Sequence, residues 1–182
     1  MSAFADHARN CRPSRQSQTE RFIMDELDKG LEIAVKGALH DTALAACKRQ
    51  MEAWGLTMPA VEPLVLDFGL NDFNKTGLIE YWIANEAREG YCGKYLFVFD
   101  GQTCPHHRHA KKHETFFVVK GRARMTYKDR TFEMNEGDVL PVPPGDGHSF
   151  TGIGPALLLE ISKPCEVDDN DFTDRRIPIG RS

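Results

Sequence analysis

Beyond Pro63 the chain consists of short apolar runs, each broken by a turn before it reaches the length of a helix. The segments LVLDF, LIEYWIA, KYLFVF, ETFFVVK, RARMTY, TFEM, DVLPV and ALLLEIS are rich in β-branched and aromatic residues. Gly, Asn-Asp, Lys-Asp and Pro-Pro-Gly punctuate them. Such side chains fit a pleated, half-buried surface, and the spacing leaves no room for crossover helices. The pattern predicts a mainly β domain, a sandwich or barrel, over residues 63–182.

A different pattern precedes it. In DTALAACKRQMEAWG, Leu44, Cys47, Met51 and Trp54 share one helical face, with Asp41 as N-cap and Gly55 at the stop. Phe22 to Leu39 carries two signals. Phe22, Ile23 and Leu27 suit a helix, whereas Leu31, Ile33 and Val35 alternate like a strand. Residues 21–62 are therefore expected to form an N-terminal helical extension. Residues 1–20, polar and without pattern, are expected to be flexible.

Bulk properties narrow the function. The net charge of −4 offers no broad basic surface to nucleic acid or anionic membrane. No apolar run nears the length of a membrane span, and the N-terminus has no hydrophobic stretch that would serve as a signal peptide. The five cysteines are odd in number and scattered, with no C-x-x-C, which argues against a disulfide framework or a thiolate zinc site. A reduced, cytoplasmic setting is the expectation, with a small-molecule partner.

Four of the seven histidines crowd into GQTCPHHRHAKKHETFFVVKG. Residues two apart on a strand point the same way, so His107 and His109 face one side and Arg108 the other. Glu114 opens the next apolar run, and PPGDGHSF supplies His148 just after a tight turn. Three imidazoles and a carboxylate form a mixed N/O set that suits Mn, Fe, Co, Ni or Zn better than Ca or Mg. A solvated, histidine-rich loop is the alternative that a lone H-x-H would leave open.

The full spacing decides between them. Gly101-x5-His107-x-His109-x4-Glu114-x6-Gly121 is followed, after fifteen residues, by Gly137-x5-Pro143-x-Gly145-x2-His148, with Gly152 in the last position. These two patterns resemble the paired motifs of the cupin superfamily, departing only where Gly152 replaces the usual Asn. The resemblance implies a single jelly-roll β-barrel that holds a metal ion on His107, His109, Glu114 and His148. His106 and His113 are left over, as supporting or surface residues.

The flanking residues narrow the resemblance further. LDFGLNDFNKTGL, YCGKYLFVFDGQTCPHHRH, KHETF, EGDVLPVPPGDGHSF, LEIS and NDFTDRRI are similar, block by block and in order, to the D-lyxose isomerase family from about Val65 to Ile177. That resemblance implies interconversion of D-lyxose with D-xylulose, often also of D-mannose with D-fructose. It implies one bound divalent ion per chain, manganese first, with Zn, Fe, Co and Ni as alternatives. A homodimer is the usual cupin assembly. The stretch between the two motifs is minimal here, whereas longer family members insert a loop that would shape the pocket mouth.

Aldose–ketose isomerisation moves a proton between C1 and C2 through a cis-enediol(ate). It needs a Lewis acid, a base, and donors for the developing charge. Carried over from the family's pattern, Lys94 and Lys112 supply cationic donors, and Glu160 and Asp171 supply carboxylates. Glu160 also stands out by itself, because an unpaired carboxylate within ALLLEIS would be costly to bury. Its apolar strand is expected to raise its pKa and the neighbouring charges to lower it. Ordinary surface lysines are the alternative for Lys94 and Lys112, an equal one for Lys112 beside Lys111, and Asp171 reads as part of the solvated run EVDDNDFTD. Arg175 and Arg176 suit either substrate or that acidic run. An Fe(II) cupin dioxygenase and a non-catalytic metal- or sugar-binding cupin are the rival readings. The first would need oxygen for turnover, and the second would not need the acid–base groups.

Overall fold

A computed structural model of the chain describes residues 26–180, so the segment 1–20 lies outside the described residues. Its strands are β1 (Leu64–Leu66), β2 (Leu78–Glu86), β3 (Tyr91–Val98), β4 (Thr103–His109), β5 (Glu114–Lys120) and β6 (Arg122–Tyr127). They continue as β7 (Arg130–Asn135), β8 (Val139–Val142), β9 (His148–Gly152), β10 (Ala156–Ser162) and β11 (Asn170–Phe172). One sheet runs β1-β2-β3-β10-β5-β8 and the other β11-β4-β9-β6-β7. All these ladders are antiparallel, and neighbours distant in sequence, such as β3 with β10 and β4 with β9, give the jelly-roll crossing expected of a cupin barrel.

All eight segments read as strands from the sequence are strands. The structure adds β9 and β11 and makes the strand read at His107 and His109 into β4, all in the second sheet. These are the strands that carry His107, His109, His148 and Asp171, so polar residues stand where an apolar run would have announced them.

Alternation sorts the side chains of the first sheet into two layers. Leu78, Leu96, Val98, Phe116, Val118 and Leu158 point inward and meet Met125 and Phe150 of the opposite sheet. Val65, Ile79, Tyr81, Phe97 and Leu157 point outward, where helix α1 (Ala38–Ala53) covers them with Ala43, Cys47 and Met51. Glu80, Lys94, Glu114 and Glu160 share the inward parity of their strands and are buried. On β4 the parity would fail, because Cys104 and His107 are three residues apart and both buried. A ladder irregularity between them restores it.

The helix begins earlier than the sequence indicated. Gly37, not Asp41, occupies the N-cap, with no side-chain cap hydrogen bond. Asp41 lies in the first turn instead, where its charge meets the positive end of the helix dipole. The stop is as expected. Gly55 adopts φ 67°, and the amide of Leu56 reaches back to the carbonyl of Met51 at 2.9 Å. The doubly signalled region before it resolves into both forms. Residues 26–32 are helical, Ala34 bridges Leu66, and Val35 donates to Val65 at 2.8 Å.

Candidate metal and sugar site

Three strand registers assemble the site. His107 lies opposite His148, Asn170 opposite His109, and Glu160 opposite Lys94. The donor atoms of His107, His109, Glu114 and His148 all fall within 4.8 Å of one another, and all four residues are buried. Each imidazole is held by its Nδ1. His107 donates to the carbonyl of Pro105 (2.8 Å), His109 to that of Asp169 (3.1 Å) and His148 to that of Asp146 (3.2 Å). A carbonyl can only accept, so the ring proton sits on Nδ1 and the Nε2 lone pair is free.

Those lone pairs converge on a carboxylate. His148 Nε2 is 2.6 Å from Glu114 Oε1 and His109 Nε2 is 3.3 Å from Oε2. These contacts are close without being hydrogen bonds, and His109 Nε2, His148 Nε2 and Glu114 Oε1 are buried with no hydrogen-bond partner, while Glu114 Oε2 has Lys112 Nζ at 2.7 Å. Buried acceptors facing acceptors cost several kcal/mol, on the order of 1–3 for each group, unless a cation joins them. Burial first, and then the neighbouring imidazoles, push the pKa of His107 well down. Burial and Lys112 lower that of His109. The His107 and His109 rings are therefore neutral and ready to bind a metal. Three nitrogens and one oxygen fit a first-row divalent ion.

A row of alternating charges leads away from this cluster. Lys112 Nζ lies 2.7 Å from Glu114 and 3.0 Å from Glu160 Oε1. Lys94 Nζ lies 3.4 Å from Glu160 Oε2 and 3.5 Å from Glu80 Oε2. The two lysines are only 4% and 5% exposed, so neither is a surface lysine. Burial alone would push Lys94 and Lys112 toward neutrality. Cys165 and Glu160 around Lys94, and Glu160 and Glu114 around Lys112, reverse this and hold both pKa values high. For Glu160 burial is likewise the largest single influence, but Lys112 and Lys94 outweigh it and leave its pKa below the usual value. The expected rise from the apolar strand is thus overcome, and Glu160 is an ionised base.

Comparison with known proteins shows the family. A cupin-domain family model matches residues 97–162, and a D-lyxose isomerase family model matches residues 61–126. The D-lyxose/D-mannose isomerase of Thermosediminibacter oceani is 32% identical over 141 residues, 62% of this chain and 77% of that protein. The chain belongs to the D-lyxose isomerase family. A second member, the D-lyxose ketol-isomerase of Thermofilum sp., is 32% identical over 63% of this chain and 79% of its own. In fold, the L-ribose isomerase of Acinetobacter sp. DL28, solved in complex with L-ribose, superposes with a TM-score of 0.64. It covers 82% of this chain and 96% of its own at 15% identity.

Of the residues carried over from the D-lyxose isomerase pattern, Lys94, Lys112 and Glu160 come together beside the cluster. Asp171 does not. Strand β11 turns Asn170 and Phe172 inward and Asp171 outward, where Arg108 (2.8 Å) and Arg175 (3.0 Å) hold it and lower its pKa. Arg176 pairs with Asp174 rather than reaching the cluster. His106 also faces outward, against Thr173 Oγ1 at 2.7 Å. His106, Arg108, Asp171, Thr173 and Arg175 line, with His107, a cleft of about 400 Å³, much larger than the cavities of about 40 and 50 Å³ within the barrel. Lys94, Lys112 and Glu160 line the cavity of about 40 Å³, and His107 lines both it and the cleft.

Sequence reasoning missed Asp169, the buried acid of EVDDNDFTD. Its carboxylate accepts the amides of Ala110, Lys111 and Lys112 at 3.0–3.2 Å, which fixes the loop between His109 and Glu114. It also missed Glu80 and Trp82, although Glu80 interrupts LIEYWIA just as Glu160 interrupts ALLLEIS.

Proposed function

We propose that the chain is a metal-dependent aldose–ketose isomerase of D-lyxose/D-xylulose type, acting also on the D-mannose/D-fructose pair. His107, His109, Glu114 and His148 would hold the ion, with Mn the first choice among first-row divalents. When bound, such an ion supplies Lewis acidity toward neighbouring sugar oxygens. The observation that carries the reading is Glu160, ionised and buried between two lysines, next to three imidazoles and a carboxylate whose donor atoms lie within 4.8 Å of one another.

Glu160 performs the proton transfer. Ser162 Oγ donates to its Oε1 at 2.8 Å and Lys112 to the same oxygen at 3.0 Å. Oε2, facing only the longer Lys94 contact, is the atom that takes the proton from C2 of the open-chain aldose. The C2–H electrons become the C1=C2 double bond and negative charge gathers on the C1 oxygen. Glu160 then returns the proton to C1, while the hydroxyl proton passes from the C2 oxygen to the C1 oxygen. Charged Lys112 and Lys94 stabilise the oxyanion in surroundings from which water is largely excluded. An oxygen-dependent reaction would leave this row without a role.

A panel of pentoses and hexoses incubated with Mn-loaded protein under anaerobic conditions tests the reading. Ketose should form from D-lyxose and D-mannose without oxygen. Turnover only in the presence of oxygen would replace this reading with the dioxygenase.

A further inference from the structure

We propose that Glu80 binds the sugar hydroxyls remote from C1 and C2, and so selects which sugars the site accepts. The inference rests on the isomerase reading.

The first observation is place. Glu80 is buried at the end of the charged row away from the histidines, 3.5 Å from Lys94, and lines the same cavity as Glu160 and Lys112. The second is its hydrogen bonding. Trp82 Nε1 donates to Oε2 at 2.6 Å, and Lys94 approaches that same oxygen. Among the described residues Oε1 receives no hydrogen bond, so Glu80 is held by one oxygen with the other left to accept.

The third observation is direction. The cavity walled by His107, Lys112 and Glu160 and the cavity walled by Trp82 and Cys165 share Phe68, Glu80, Lys94, Asn170 and Phe172. With C1 and C2 at the cluster and Glu160, the remaining carbons run past Lys94 to where the two spaces meet, beside Glu80. Phe68 and Phe172, in edge contact at 5.5 Å between ring centres, give that region an apolar wall suited to the C–H face of a sugar. Glu80 is then the acceptor for the C4 and C5 hydroxyls.

The test compares Mn-loaded wild type, Glu80→Gln and Trp82→Phe on D-lyxose and its 4-deoxy and 5-deoxy analogues. Steady-state rates and calorimetric binding are both measured. Glu80→Gln should raise KM and Kd for D-lyxose by roughly ten- to a hundredfold, the scale of one charged hydrogen bond. Metal content should not change, and kcat should change less than KM. For at least one deoxy analogue the penalty should shrink toward none. Trp82→Phe, which unlatches the carboxylate while leaving it in place, should show the same selectivity in weaker form. An equal penalty on all three sugars would mean that Glu80 acts only through Lys94, and no penalty would remove it from the substrate site; either overturns the proposal. If wild type binds D-lyxose yet isomerises nothing, the isomerase reading fails, while the binding comparison still decides the role of Glu80.

Discussion

At the scale of single residues, the chemistry depends on which of two opposing effects wins at Glu160. Burial would neutralise it, and two lysines at 3.0 and 3.4 Å keep it charged. Glu160→Gln preserves shape and hydrogen bonding but removes basicity. It should keep metal and sugar affinity while kcat falls by about two orders of magnitude or more, the scale of general-base loss. Exchange of the substrate C2 hydrogen with solvent, followed by NMR, should disappear as well. A near-normal rate would move the proton to another group. Glu160 was legible in the sequence because a charge inside an apolar strand demands a partner. The same argument fitted Glu80 in LIEYWIA and went unused, and Asp169 was hidden because four aspartates crowd VDDNDFTD and no periodicity separates the buried one.

Among the elements, the short 3-10 turn Val167–Asp169 and strand β11 brace the cluster from outside. Asp169 ties the His109 ring and three consecutive amides to this segment, and Glu26 in turn accepts the amide of Val167 at 2.6 Å. Asp169→Asn loses charge-assisted acceptance and should weaken metal affinity by roughly ten- to a hundredfold, as loss of an outer partner does. Metal titration of the variant checks this, and unchanged affinity would show that the loop holds itself. The inner cavities are also smaller than a sugar, and Gly30, Ile33, Val167 and Ile179 wall one of them. Sugar binding should therefore change amide-exchange protection in residues 26–35 and 165–172, and constant protection there would contradict it. Elements with apolar periodicity were legible from sequence. Strands β9 and β11 were not, and β4 was legible only through its H-x-H, since their polar residues serve the site.

For the molecule as a whole, the site is a polar patch inside the barrel, bordered by the core residues Phe116 and Phe172. The strand alternation and the motif spacing specify that barrel in the sequence. What depended on three dimensions was the outward turn of Asp171, set by the register of β11 against β4. Neutral, buried His107 and His109 make a further prediction about stability. Their folded pKa values lie below the unfolded value, so the unfolded chain takes up protons first as pH falls below about 6.5. Stability from these groups is complete above that pH and is lost as pH drops through the folded values. Calorimetry of metal-free protein should show Tm falling from pH 7 to pH 5, with a shallower fall in His107→Gln. The most direct test of the central claim joins metal and turnover in one measurement. Chelator-treated whole protein is titrated with Mn under anaerobic conditions, with D-xylulose formation from D-lyxose followed at each addition. Activity should rise from none and saturate near one ion per chain, whereas full activity in the metal-free protein, or none at saturation with any sugar tried, would contradict the account.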